Sequence, residues 1–401
     1  MSEPGRIAIV GASLAGLRTA EFLRRAGFEG ELTLIGEEPH LPYDRPPLSK
    51  EILRGEWEPD RLALRRKDYD SLSLDLRLGR RAIRLEPDSR TVRLDDDSAV
   101  AFDRLVVASG GSARRLPGQP EMQGVFVLRT LDDAIAIRDA MSAASHVAVI
   151  GAGFIGAEVA ASARQRGLPV TMIEALDAPL TQSLGPTIGA ILQGVHEGRG
   201  VEVHCGQFVT QFVGGGRLES LRLEDGTTIP CDLAVVGVGV VPAVDWLEGS
   251  GIALEDGVRC DETCESSIPG VYAVGDVASW FNPLFEERMR VEHWTNAVEQ
   301  ARHVASALVS DSSDRNPFVS VPMFWSDQYD IKIQGVGRPR ATDELVLTGG
   351  TPEDEKFVAL YGRSGRLVGA VTFNRPPKVI ALRKLISERG SLEAGVEIAE
   401  S

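Results

Sequence analysis

One plan occurs twice in this chain, and it limits the possible folds more than any other feature of the sequence. A short apolar run, Arg6–Val10, leads into Gly11-Ala-Ser-Leu-Ala-Gly16, a helical stretch to about Ala26, a C-capping Gly27 and a second apolar run, Glu31–Ile35. The plan returns as Val147–Ile150, Gly151-Ala-Gly-Phe-Ile-Gly156, a helix to Arg166, then Gly167 and the run Val170–Ile173. Each stretch of about 30 residues predicts a strand–helix–strand half of a dinucleotide-binding sheet. In such a half the first glycine permits a tight turn, the second lets backbone approach a pyrophosphate, and the third lets helix and strand pack closely. The helix start then offers free N–H groups and a positive dipole end to phosphate. Two halves predict two nucleotide sites.

The second copy is complete: Gly151, Gly153 and Gly156 stand in register, Phe154 and Ile155 open the helix, and Glu174 follows Ile173 at the end of the next run. An acid at that place accepts hydrogen bonds from an adenosine ribose. The first copy carries Ser13 in place of the middle glycine, and Glu37 is its candidate ribose acid, the alternative being a solvated loop carboxylate. Strands ending in glycine recur at Arg104–Ala108 (before Ser109-Gly110-Gly111), at Leu233–Val236 (before Gly237-Val238-Gly239) and at Val271–Val274 (before Gly275-Asp276). After about Asp311 the pattern changes: the loop Ser310–Pro317 opens a tail of alternating strands, with Gly362–Gly365 as the turn between Lys356–Tyr361 and Arg366–Phe373. A helix near Pro377–Glu388 is expected to close the chain.

At 401 residues the chain predicts two or three domains, and 43% hydrophobic with 25% charged residues is an ordinary globular composition. No apolar run approaches the roughly 18 residues of a membrane span, and because the opening MSEPGRIAIVG reads as entering a strand at once, no signal peptide is expected. The net charge of −15 argues against nucleic acid as a partner. Cys260 and Cys264 form a C-x3-C pair with no further ligand nearby, so no metal site is expected there, and a reduced, cytoplasmic compartment fits the cysteine usage.

Six segments stand in a telling order: Tyr43-Asp-Arg-Pro-Pro-Leu-Ser-Lys50, Val107-Ala-Ser-Gly-Gly111, Gly237-Val-Gly-Val-Val-Pro242, Val271-Tyr-Ala-Val-Gly-Asp276, Glu292-His-Trp-Thr-Asn296 and Phe324-Trp-Ser-Asp-Gln-Tyr329. Together they resemble the FAD-dependent NADH:ferredoxin reductases, the putidaredoxin reductase-like family that serves cytochromes P450 and aromatic-ring dioxygenases. The resemblance runs end to end. It implies an α/β fold with two Rossmann-like dinucleotide-binding domains, as in the glutathione-reductase-like flavoproteins, plus an α+β C-terminal domain. The implied boundaries are 1–111 with 244–312 for FAD, 112–243 for NAD, and 313–401 for the C-terminal domain. The departures are Ser13, Ala243 where the family often has asparagine, and Ala178-Pro179 where an arginine often follows the ribose acid.

By this resemblance FAD would be held by Gly11, Ser13, Ala15, Gly16, Glu37, Arg45, Lys50, Ala82, Ala108, Ser109, Gly110, Arg129, Gly275, Asp276, Glu292, His293 and Trp294. NADH would be held by Gly151, Gly153, Phe154, Ile155, Gly156, Glu158, Glu174, Val238 and Gly239. Lys50, near flavin N5 and paired with Glu158, is the implied catalytic element, the alternative for it being a surface lysine. A helix from about Thr295 would aim its N-terminus at the flavin. Disulfide reductases of the wider superfamily carry redox cysteines in the segment that is Glu38–Gly55 here, and this one contains none. Electrons are therefore expected to pass directly to an external acceptor. The implied acceptor is an acidic 2Fe–2S ferredoxin docking at Arg65, Arg302 and Trp325 of a monomer or weak homodimer. A rubredoxin, a small quinone, or a non-turnover NADH sensor resembling apoptosis-inducing factor are the alternatives.

Overall fold

The computed structural model describes residues 5–310 and 316–401, so most of the expected Ser310–Pro317 loop lies outside the described residues. The chain folds into two compact units, one of Met1–Asp44, Ala63–Ser112 and Val241–Met323, the other of Arg45–Leu62, Ala113–Val240 and Phe324–Ser401.

The first unit is built on a five-stranded sheet in the order Val271–Ala273, Arg104–Val107, Arg6–Val10, Glu31–Gly36, Leu74–Leu78, parallel throughout. Ile7, Ala8, Ile9 and Val10 are all buried, because a parallel strand covered on both faces must be apolar along its whole length. The helix Leu14–Arg25 returns from the first strand, ends at Ala26, and leaves Gly27 at φ +92°, a conformation that suits glycine. The helix Trp294–Val309 packs against it.

The second unit repeats the arrangement in the order Val201–Cys205, Val170–Glu174, Val147–Ile150, Leu233–Val236, Val125–Val127, again parallel. Its helix Phe154–Gln165 mirrors Leu14–Arg25. The same unit holds a five-stranded sheet in the order Met323–Gln328, Ile331–Gly337, Arg366–Phe373, Lys356–Arg363, Glu344–Thr351. One face of it buries Ile331, Ile333, Phe357, Tyr361 and Phe373 against Leu180, Leu184, Ile188 and Leu192.

Three details depart from the sequence expectations. The hairpin turn is shorter than Gly362–Gly365: Arg363 pairs with Arg366, leaving Ser364 and Gly365 at φ 52° and 76°, the geometry of a two-residue turn. The helix Pro376–Ser387 does not close the chain; Leu392–Glu400 does, begun by Ser391, whose hydroxyl accepts from the Ala394 N–H. The helix Thr181–Gly198 is broken at Gly185-Pro186, and the Tyr361 hydroxyl donates to the Leu184 carbonyl at the break, 2.7 Å away.

Candidate functional site

In the first unit the fingerprint glycines are dictated by close backbone. Gly11 sits at φ +122°, and a Cβ there would lie 2.0 Å from the Ala108 carbonyl oxygen; one on Gly16 would lie 1.9 Å from the Gly11 carbonyl oxygen. Ser13 is the N-cap of Leu14–Arg25, yet its side chain makes no capping bond and the first turn holds no acid. The N–H groups of this helix start are thus left to an anion from outside the chain. Ala15 borders Gly275, which has φ +75° and donates its N–H to Gln300 Oε1 at 2.8 Å. Asp276 lies in the same short turn.

Trp294–Val309 begins one residue before the expected Thr295, with His293 as N-cap, no capping bond and no acid in its first turn. Trp294 Nε1 donates to Asp44 at 2.9 Å. Ser109 Oγ donates to the Ala243 carbonyl at 2.8 Å, joining Ala108–Gly110 to the return segment. Ala82 is buried at a strand start, Glu37 is exposed just after its strand, and the Glu292 side chain is held by Arg290. A glycine cradle and two uncapped helix starts in one unit fit a dinucleotide whose phosphates and electron-accepting ring both carry negative charge.

In the second unit Gly151 (φ +95°) and Gly156 repeat the same contacts, their Cβ positions falling 2.5 Å from the Gly237 and 1.9 Å from the Gly151 carbonyl oxygens. Gly153 differs: nothing lies within 4 Å of its Cβ position, so the space is open where a pyrophosphate would approach. The helix Phe154–Gln165 has no capping bond and no acid in its first turn. Glu174 turns back over this loop, accepting from the Ala152 N–H at 2.6 Å and the Leu176 N–H at 2.9 Å. Val238 borders Gly151, Gly239 has φ +103°, and Ile155 is exposed. Arg45 donates to the Arg129 carbonyl at 2.6 Å. By contrast, Leu131–Met141 is closed by its own capping box, Thr130 with Asp133.

Lys50 and Glu158 meet in this unit although they are 108 residues apart in the chain. Lys50 lies in a π-helical segment, Leu48–Ile52, and donates to Glu158 Oε2 at 2.8 Å, with exposures of only 5% and 3%. Ser49 Oγ donates to the same oxygen, and Ser326 Oγ donates to Oε1 at 2.7 Å. Such a pair survives burial because each charge has its partner and the remaining lone pairs are filled; removing one partner would cost about 3–5 kcal/mol. Ser49 and Ser326 carry no signal as single residues, although each lies inside one of the six segments of the resemblance, Tyr43–Lys50 and Phe324–Tyr329.

The three docking candidates have different surroundings. Arg65 is not a free rim charge: its side chain is 10% exposed, pairs with Glu21 at 2.8 Å, and donates to the Asp68 carbonyl and Ser71. Arg302 is exposed over the Phe22 ring, and Trp325 is half-buried on the strand Met323–Gln328. All four cysteines are free. Burial pushes the thiols up, Cys205 to about 11, Cys231 and Cys260 to about 12, and Cys264 well above the usual thiol value. None is held as a thiolate at neutral pH. Among the described residues no cluster of His, Cys, Asp and Glu could hold a metal ion, and no helix is long and apolar enough to cross a membrane.

The chain belongs to the pyridine nucleotide-disulphide oxidoreductase family, matched over residues 5–301, and its residues 323–399 match the reductase C-terminal family. It is an FAD-containing oxidoreductase that uses NADH. It is 38% identical over 391 residues to the ferredoxin–NAD(+) reductase component of the p-cumate 2,3-dioxygenase system of Pseudomonas putida, covering 97% of this chain and 94% of that one. Among solved structures it resembles the ferredoxin reductase for the CYP199A2 system from Rhodopseudomonas palustris, with TM-score 0.94, 35% identity, and coverage of 99% and 98%. It also resembles the covalent putidaredoxin reductase–putidaredoxin complex, with TM-score 0.92, 31% identity, and coverage of 98% and 99%.

Proposed function

We propose that this oxidoreductase is the NADH-side component of an oxygenase system and hands its electrons to a 2Fe–2S ferredoxin. One observation carries the reading. Where thiol-using relatives place a redox cysteine, this chain has the segment Glu38–Gly55 without one, and its Lys50 instead forms a buried ion pair with Glu158. Bound FAD supplies the conversion of a two-electron hydride into single electrons.

The residues divide the remaining work. In 112–243, read as the NAD domain, the N–H groups after Gly151 hold the pyrophosphate and Glu174 takes the ribose hydroxyls. In 1–111 and 244–312, read as the FAD domain, the turn Gly11–Gly16 holds the second pyrophosphate. There Asp276 holds the ribityl end, and the start of Trp294–Val309 stabilises negative charge on the ring by about 1 kcal/mol. Lys50 is assigned a fixed positive charge at the hydride-accepting end, with Glu158 setting its orientation. In 313–401 Trp325 is assigned to the passage of electrons outward. The relatives' names, and the solved complex with putidaredoxin, support a ferredoxin as acceptor. Four free thiols suit a reducing cytoplasm, and a monomer or weak homodimer suffices.

The test is NADH-driven bleaching of a purified 2Fe–2S ferredoxin from a ring-dioxygenase system, run beside ferricyanide. Turnover is expected with both acceptors. Arg302→Glu should raise KM for the ferredoxin about 3- to 10-fold relative to KM for ferricyanide and flatten its salt dependence. Rapid ferricyanide reduction with no ferredoxin bleaching above the enzyme-free rate would refute the assignment.

A further inference from the structure

A single line of side-chain donors ends on Glu158. Three alternate residues of the edge strand Met323–Gln328 meet the nucleotide-binding half of their own unit, as the two-residue period of a strand allows. Phe324 packs on Phe154, with ring centroids 4.7 Å apart, at the first residue of the helix Phe154–Gln165. Ser326 donates to Glu158, one helical turn further on. Gln328 reaches His196 on the helix Thr181–Gly198.

The direction of each bond follows from chemistry. Burial lowers the His196 pKa to about 4, so its ring is neutral at physiological pH and has one donor and one acceptor nitrogen. Gln328 Oε1 can only accept, so His196 Nε2 donates to it, at 3.1 Å. Nδ1 is then the acceptor for the Tyr329 hydroxyl at 2.8 Å, a phenol that burial keeps protonated. Gln328 Nε2 donates to Ser326 Oγ at 3.2 Å, and the Ser326 hydroxyl proton goes to Glu158 Oε1 at 2.7 Å. Tyr329, His196, Gln328 and Ser326 thus point their donors one way, toward the carboxylate, and each bond polarises the next. Ser326, Gln328 and His196 are fully buried. Tyr329 holds φ +57°, a conformation a bulky residue adopts where its surroundings fix it.

We propose that Ser326 is the positioning residue for Glu158: the C-terminal sheet, through this donor line, holds the carboxylate in the rotamer that serves Lys50. The proposal rests on the role assigned to Lys50 in hydride acceptance. Among the described residues Lys50 is the charged group in contact with Glu158, Ser49 and Ser326 are its neutral donors, and His196 reaches it through Gln328 and then Ser326. The C-terminal domain then acts on the hydride step as well as on the acceptor side, since Trp325, the residue between Phe324 and Ser326, falls on the opposite face of the strand.

Ser326→Ala removes one donor from the carboxylate and frees its rotation. The expected result is flavin bleaching by NADH slowed about 3- to 10-fold with KM for NADH unchanged. The infrared carboxylate stretch of Glu158, identified by its loss in Glu158→Gln, should shift as that hydrogen bond is lost. Ser326→Thr should restore rate and band. In a Lys50→Met background Ser326→Ala should add little to the loss of rate.

An unchanged rate and band in Ser326→Ala, or losses that multiply in the double variant, would overturn the proposal while leaving the role of Lys50 intact. An unchanged rate in Lys50→Met alone would instead remove the reading on which the proposal stands, and the proposal with it.

Discussion

One turn into its fingerprint helix, the first strand–helix–strand half carries Arg18 and the second carries Glu158. Arg18 pairs with Glu21 on its own helix at 2.6 Å, and Glu21 pairs with Arg65 at 2.8 Å, a trio that closes on itself within the first unit. Glu158 receives Lys50, Ser49 and Ser326 from two remote segments and is shut away from water. The backbones are near copies: both helices start uncapped, both third glycines press on the first glycine's carbonyl, and both first glycines have positive φ. The duplicated fold therefore repeats the glycine turn and the uncapped helix start, whereas the charge one turn in differs: it closes on its own helix's surroundings in one half and is buried against remote segments in the other.

The sharpest way to break this comparison is to neutralise both positions. Glu158→Ala should lower stability by about 3–5 kcal/mol, because it strands the Lys50 charge in a buried site. Lys50→Met should slow flavin bleaching by about 10- to 100-fold while FAD stays bound. Arg18→Met should cost about 1 kcal/mol or less and leave the bleaching rate alone. Stopped-flow absorbance and denaturant melts measure all three. A slow Arg18→Met would abolish the distinction.

A second test concerns pH. His196 has its pKa lowered to about 4 by burial, against 6.5 for a free histidine. Between those values the unfolded chain binds the extra proton and the folded one does not, so stability rises with pH there. The contribution is whole above about pH 6.5 and is lost as pH falls toward 4, by up to about 3 kcal/mol. His196→Gln should flatten that acid limb in melts. An unchanged limb would mean that other groups set it. In the first unit His303 on the helix Trp294–Val309 is lowered by burial too, and His303→Gln should flatten the same limb less.

The two nucleotide sites should differ in selectivity. Glu174 faces the second loop, and Ala175–Ser183 contains no lysine or arginine to neutralise a 2′-phosphate. NADH should therefore exceed NADPH in kcat/KM by at least ~10-fold, about 1.4 kcal/mol. Glu174→Ala should narrow that ratio, and equal values in the unaltered enzyme would refute the assignment. A smaller effect is expected from exchanging the central fingerprint residues. Gly153→Ser meets open space and should fold normally, yet raise KM for NADH about 3- to 5-fold by filling the approach to the pyrophosphate. Ser13→Gly should change FAD retention by less than about 2-fold, since serine already serves there.

Both fingerprints and their flanking strands could be read directly, because the constraint on each glycine is local: a turn, an approach, a packed helix. Lys50 and Glu158 could not be joined by any spacing rule, and only family resemblance linked them. Ser326 stayed hidden because a serine in a strand looks the same whether it faces solvent or a carboxylate; sheet order decides. Arg65 read as a surface cation because its partner Glu21 lies 44 residues earlier, on a helix whose neighbours only the fold reveals. The helix Leu392–Glu400 carried a signal, Ser391 as N-cap before Leu-Glu-Ala, in a stretch short enough to pass for a tail.

Electrons are expected to cross the protein through FAD without a thiol relay. An anaerobic titration with dithionite, followed by flavin absorbance, counts the carriers directly. Full reduction is predicted at two electrons per FAD, in the native protein and equally in protein that has been reduced, alkylated and reoxidised. Uptake of four electrons per FAD in the native protein, falling to two after that reduction and alkylation, would reveal a redox-active disulfide and contradict the account.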